Sequence, residues 1–254
     1  MIGINSVGFF ASSGGGSAYD ADAQAFFTAS SITDLTQKNA VNQLVLDLKS
    51  NGLWTKMKAL YPVVGGNASA HSYNLINTSL YQLSFSSGWT HSSTGMLPNG
   101  TSAYADTLFN PSSMGSLNDM HLSFYNRTST YGGVCLIGAY VGSMTSIYNS
   151  GHTNINGSGF VVKTSSNALG LKITSRVSST SLLLRSNNIN ESFTSNSTSL
   201  PNTNINISRN GGYNSDYSAD QCAFASIGLG LTLTDMTNLQ NIVNTFQTSL
   251  SRNV

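Results

Sequence analysis

The stretch Met120–Phe124, MHLSF, sets apolar and polar side chains in strict alternation, so Met120, Leu122 and Phe124 share one face of an extended chain and His121 and Ser123 the other. The same period of two recurs on both sides. Upstream, Tyr81, Leu83 and Phe85 alternate with Gln82 and Ser84. Downstream, Leu169, Leu171 and Ile173 alternate with Gly170 and Lys172, and Ile205 and Ile207 with asparagine. Between these runs stand Gly65-Gly66, Asn99-Gly100, Gly132-Gly133, Asn156-Gly157 and Asn210-Gly211, residues that accept the positive φ of tight hairpin turns. Many short strands at this spacing predict a β-sandwich or jelly roll over residues 63–230. A repeat of fixed period is absent, which disfavours a propeller or solenoid.

The two ends follow a different period. Asp20 opens a short helix, and Thr33 is a fitting N-cap for a second, whose Val41, Leu44, Val45 and Leu48 share a face and whose Asn51-Gly52 is a stop signal. The segment LWTKMKALYP, residues 53–62, reads as a further short turn of helix closed by Pro62. Near the C-terminus, Met236, Leu239, Val243, Phe246 and Leu250 form one narrow apolar seam, with Thr234 as N-cap and Asp235 in the first turn, where a negative charge suits the helix dipole. Burying such side chains is worth about 1.5–3 kcal/mol each, so the seam must be covered. It lies either on the sandwich or against the Val41–Leu44–Leu48 face, within the same chain or across subunits. Residues 1–20 pass through Gly14-Gly15-Gly16-Ser17, the composition of an arm, held by a neighbouring subunit or by its own domain. The division expected is a docking arm with helices over 1–62, using Phe9, Phe10, Val41, Leu44 and Leu48, and a jelly roll over 63–254 that ends in a helix.

Charged residues make up only 8% of the chain, with a net charge of +1. Serine, threonine, asparagine and glycine have replaced lysine and glutamate on the surface, which lowers the desolvation cost of meeting another surface and suits an assembly. The scattered cations form no basic stripe for nucleic acid. The two cysteines, Cys135 and Cys222, are too few for a disulfide scaffold and read as buried thiols. The first residues lack the basic start of a secretory signal, and no run approaches a membrane span.

LWTKMKALYPVVGG, followed by HSYNL, GWTHSSTGMLPNGTSAYADTLFNP and HLSFYNRT, resembles a block of bacteriophage virion proteins with a concanavalin A-like, LamG-type jelly roll. The closing FASIGLGLTLTDMTNLQNIVNTFQTSL is similar to the end of such domains, where a last strand passes into a capped helix. The resemblance spans residues 53–250 and implies a mainly β fold and a virion setting. It does not imply a ligand, because such domains serve as lectins, spacers and decoration modules alike.

Chemistry is hard to find. Glycoside hydrolysis needs two carboxylates across a cleft, but residues 63–230 hold only Asp106, Asp119, Glu191, Asp216 and Asp220, without a clustered pattern. No nucleophile elbow, phosphate loop or zinc spacing appears, and Asn214, Asp216 and Asp220, the best calcium candidates, lack the regular loop spacing of a calcium site. No cofactor is implied. Carbohydrate recognition needs less, an aromatic platform with a few amides and hydroxyls. SGWTHSS, with Trp89 and His91, and GGYNSDY, with Tyr213, Asn214, Asp216 and Tyr217, supply such mixtures. The expectation is a non-enzymatic structural or decoration component of a bacteriophage virion, docking on other virion proteins through its arm as a homo-oligomer, for which a trimer is a common form. The alternative is a module that binds a host surface glycan.

Overall fold

The computed structural model describes residues 18–114, 116–130, 132–162, 169–186 and 188–254; Phe9 and Phe10 lie outside them. Asp20 caps α1 (Ala21–Ser30), and Asp34, rather than Thr33, caps α2 (Leu35–Ser50) by accepting from Gln37 N at 2.8 Å. Asp34 brings an acceptor and a negative charge to the positive end of the helix. The segment after α2 departs from the helical reading. A single 3-10 turn over Trp54–Lys56 leads into strand β1 (Met57–Tyr61). Its apparent helical spacing arises from a bulge that turns Met57 and Leu60 to one side and Ala59 and Tyr61 to the other.

A short α3 (Ala68–Ser72) follows, then β2 (Ser84–Phe85), β3 (Trp89–Ser92), β4 (Gly95–Pro98), β5 (Ala105–Asp106), β6 (Met120–Asn126), β7 (Cys135–Val141) and β8 (Ser143–Tyr148). The chain continues through β9 (His152–Gly157), β10 (Val161–Val162), β11 (Gly170–Arg176), β12 (Ser181–Ser186), β13 (Ile189–Thr194), β14 (Asn206–Ile207), β15 (Asn210–Gly211), β16 (Cys222–Gly228) and α4 (Leu233–Ser249). One sheet runs β13-β12-β11-β6-β16-β4-β3, with β1 also paired to β16; the other runs β10-β9-β8-β7-β14-β5-β2, with β15 beside β7. All named pairings are antiparallel except β15 with β7. The fold is a mainly β jelly-roll sandwich with few helices.

Two cores follow from this layering. Between the sheets, Met120, Leu122 and Phe124 meet Ile137, Ile155 and Ile207. On the opposite face of the first sheet, Tyr125, Leu171, Ile173 and Phe224 are covered by α2 and α4. The seam of α4 therefore packs on both the sheet and α2, within one chain. Val41, Leu44 and Leu48 are buried in that core and are not available as docking or oligomer residues, because α4 already occupies the face they present. α4 also starts earlier than Thr234 would place it. Thr232 Oγ1 accepts from Asp235 N at 3.2 Å while Asp235 Oδ2 accepts from Thr232 N at 2.8 Å, a reciprocal cap that needs the acid three residues on.

The polar face of β6 is also buried. His121 Nδ1 lies 2.6 Å from Leu229 O, its Nε2 lies 3.0 Å from Ser226 Oγ, and Ser123 Oγ lies 2.6 Å from the same hydroxyl. Cys135 and Cys222 are free and buried, and burial pushes the Cys222 thiol up to about 12. At the end of β16, Gly228 lies between β1 and β6, where a Cβ would overlap the Lys56 carbonyl and press on the His121 ring. Gly228→Ala is expected to cost about 1–3 kcal/mol by overpacking. An unchanged thermal midpoint would show that the strands can part without loss. Among the described residues no helix is long and apolar enough to cross a membrane.

Candidate functional site

After β14 the chain makes a polar excursion, residues 208–220, whose ends are tied by Ser218 N donating to Ser208 O at 2.9 Å. Asparagine, glycine and aspartate suit it because several positions need the left-handed region: Ser208 has φ 70°, Gly212 79° and Asp216 61°. The loop is anchored from below by β7 and β8. Cys135 N donates to Asp216 O at 3.1 Å, and Cys135 Sγ to Asn210 Oδ1 at 3.3 Å. Asn210 Nδ2 donates to Tyr148 OH at 2.6 Å, and that hydroxyl donates to Asp216 Oδ2 at 3.1 Å. Burial, reinforced by the Asp216 charge, pushes the Cys135 thiol and the Tyr148 phenol far above their usual ranges, so both remain protonated donors.

On this support stands Arg209. Its guanidinium lies 3.5 Å from the centroid of the Tyr104 ring and 5.6 Å from that of Tyr217. Nη1 donates to Asn214 Oδ1 at 2.8 Å and to Tyr217 OH at 3.2 Å. Asn206 Oδ1 accepts from Nη2 at 3.0 Å in the amide orientation that also lets its nitrogen donate to Ile205 O. A planar cation stacked on one ring and held at its edges is fixed in orientation before any ligand arrives. Beside it opens a depression of about 290 Å³, lined by Tyr104, Asp106, Thr203, Asn204, Asn206 and Arg209, with Gly211 and Gly212. Asp106 Oδ2 accepts from Asn204 Nδ2 at 3.2 Å and Oδ1 from Leu108 N at 2.8 Å.

The residues singled out by sequence are distributed unevenly about this depression. Asn214 and Tyr217 converge on Arg209. Tyr213 follows Gly212 of the lining and is not among the partners of Arg209; its ring lies 6.0 Å from that of Tyr140. Asp216 turns inward to Tyr148, away from Arg209. Trp89 and His91 do not line the depression. Trp89 Nε1 donates to Tyr104 O at 3.2 Å and so holds the backbone that carries the stacking ring. His91 packs on Phe85, with its Nδ1 2.9 Å from His71 Nδ1. Asp220, named with Asn214 and Asp216 as a calcium candidate, is buried and accepts from Thr130 N, Asn149 Nδ2 and Ser218 Oγ. The three oxygen donors therefore face three different partners. Among the described residues no cluster of three or more His, Cys, Asp or Glu is placed to hold a metal.

Tyr104, Asp106, Asn204, Asn206 and Arg209 escape sequence reading because they come from separate strands and turns. Arg209 carried one usable signal, as the only cation between Arg185 and Arg252 in a chain poor in charge.

The sequence matches no protein-family model and no curated protein. In structure the chain is similar to the binding domain of botulinum neurotoxin serotype D, with TM-score 0.44 and 10% identity over 74% of this chain and 52% of that one. It is also similar to domain 4 of AbnA, a GH43 extracellular arabinanase from Geobacillus stearothermophilus solved with arabinotriose, with TM-score 0.44 and 13% identity over 73% and 98%. A third, the Trypanosoma rangeli sialidase solved with sialic acid, gives TM-score 0.46 and 8% identity over 83% and 39%. The chain thus spans about half the length of the neurotoxin domain and well under half of the sialidase.

Proposed function

We propose that this chain is a non-enzymatic saccharide-recognition module that seats its ligand in the depression beside Arg209, and that it is displayed on a bacteriophage particle. The observation that carries the saccharide reading is the Arg209 guanidinium stacked 3.5 Å from Tyr104 at the edge of a polar depression of about 290 Å³. Sugars present hydroxyls that pair with amides, carboxylates and guanidinium N–H groups, and C–H faces that lie on aromatic rings. Asn204, Asn206, Asp106 and Arg209 offer the polar contacts, and Tyr104, one face of which is taken by Arg209, holds the guanidinium in place for them. Asp106 is the single carboxylate in that lining, whereas glycosidic cleavage needs a pair. The virion setting rests on the sequence resemblance, and the low charge suits a domain that works by contact within an assembly.

The test is a glycan array with the purified chain. At least one glycan is expected to bind, and Tyr104→Ala and Arg209→Ala are each expected to weaken that binding at least about tenfold, or about 1.4 kcal/mol. Both variants should keep the parent's circular dichroism spectrum; the midpoint of Arg209→Ala is expected to fall modestly, because the buried Asn206 amide oxygen loses its donor. A folded protein silent across the array would overturn the saccharide reading, and release of sugar from a bound polysaccharide would overturn the non-enzymatic one.

A further inference from the structure

Resting on that reading, we infer that the saccharide is acidic and at least two units long, its carboxylate on Arg209 and a neighbouring sugar ring on a platform made by Tyr140 and Tyr213. Arg209 is a cation without an acid. The ion pairs among the described residues join Lys49 to Asp20 and Asp22, and Lys56 to Asp235. Asp106 shares the depression, but its oxygens accept from Asn204 Nδ2 and Leu108 N and form no ion pair with Arg209, so an acidic ligand must gain more from Arg209 than it loses to Asp106; Asp216 is turned to Tyr148.

A guanidinium has five N–H donors. Asn214, Tyr217 and Asn206 take three of them, all with neutral oxygens. Nε and one Nη2 hydrogen remain for a ligand. A planar fork offering two donors matches a carboxylate, and a charge-assisted pair is roughly twice as strong as a neutral one. The charge therefore distinguishes an acidic from a neutral sugar more strongly than any amide in the lining does. A single cation is too little for a polyphosphate backbone, which is bound through many such contacts.

The second subsite follows from what adjoins the first. Tyr140 and Tyr213 are 38% and 46% exposed, large for aromatic side chains. Gly212, which lines the depression, packs directly against Val141, the Tyr140 backbone and Thr203, so the backbone that carries both rings adjoins the depression. The Tyr213 backbone is held by its N–H donating to Asn210 O at 3.3 Å, above the anchored network. Two exposed rings beside a charged depression provide a stacking surface for the next sugar of a chain.

The experiment measures calorimetric binding to paired probes: oligogalacturonate, a hyaluronan tetrasaccharide and sialyllactose, each beside its carboxyl-reduced counterpart, with free glucuronate as the single-unit control. At least one acidic probe is expected to bind ten-fold or more tightly than its reduced form, and to weaken several-fold when salt rises from about 50 to about 500 mM, as screening predicts. Arg209→Gln should abolish that preference. Tyr213→Ala should weaken the oligosaccharide several-fold while leaving free glucuronate unchanged. Equal binding of acidic and reduced forms overturns the inference while leaving saccharide recognition standing. Free glucuronate binding as tightly as the oligomers overturns the second subsite. Failure of these probes together with silence on the glycan array overturns both readings.

Discussion

Arg252→Ala is expected to lower the unfolding free energy by about 3–5 kcal/mol, the cost of breaking a buried, fully hydrogen-bonded charge site. Arg252 is 1% exposed and has no carboxylate among its hydrogen-bond partners. Nε donates to Gln247 Oε1 at 2.7 Å, Nη1 to Val63 O at 2.6 Å, and Nη2 to Pro62 O and Ala223 O, each at 3.0 Å. One side chain thereby ties the end of α4 to the exit of β1 and to β16. Burial draws its pKa down to about 10, so it remains charged at neutral pH and depends on those carbonyl dipoles. Truncation leaves the Pro62 and Val63 carbonyls and the Gln247 amide oxygen buried without the Arg252 donor, each costing about 1–3 kcal/mol unless water enters, while Ala223 O keeps the Gln247 Nε2 donor at 3.1 Å. Arg252→Lys should fall between the two, since an ammonium lacks the planar fork that reaches all four acceptors. Urea denaturation decides it, and a loss under about 1 kcal/mol for the alanine variant would mean that the site is not cooperative with the fold.

Acidification from pH 7 to pH 5 is expected to remove roughly 4 kcal/mol of stability through two buried histidines, about 2 kcal/mol from each. Burial, with His91 and Arg252 nearby, draws His71 down to about 3, and burial draws His121 down to about 4. In the unfolded chain both titrate near 6.5. Between these values the unfolded state binds the protons that the folded state refuses. The stabilisation is therefore complete above pH 6.5 and is lost as the pH falls from there toward 4 and 3, at up to about 1.4 kcal/mol per pH unit for each group. His91, also lowered by partial burial, acts in the same direction. Denaturation midpoints at half-unit steps provide the check. His121→Gln, which keeps a neutral polar group against Ser226 and Leu229, should remove about half of the slope; a flat profile between pH 7 and 5 would refute the assignment.

These two sites show where sequence reading stops. Arg252 and His121 look like surface residues by type, one in a polar C-terminal stretch and the other on the polar face of MHLSF. Both are buried because helices cover the outer face of the first sheet, and that covering depends on contacts between segments some two hundred residues apart. The LWTKMKALYP segment departs from its helical spacing for the same reason. Its local spacing is ambiguous over so few residues, and pairing with β16 decides in favour of the strand. Within the site, the loop residues Tyr213, Asn214 and Tyr217 were legible from composition, whereas their partner Tyr104 lies about a hundred residues upstream and arrives only through the pairing of β5 with β14.

The period of most segments, the amphipathic seam of α4 and a surface nearly without charge are properties of neighbours along the chain and are legible there; the hairpin turns are not, since Asn156-Gly157 lies within β9, Asn210-Gly211 forms β15, and Gly65-Gly66, Asn99-Gly100 and Gly132-Gly133 join elements that do not pair with each other. Only the tertiary structure decided which faces are covered, that Val41, Leu44 and Leu48 belong to the core, and that Arg209 meets Tyr104 beside an open depression. Burial and stacking are made between distant segments, and a local pattern carries no record of which segment will arrive.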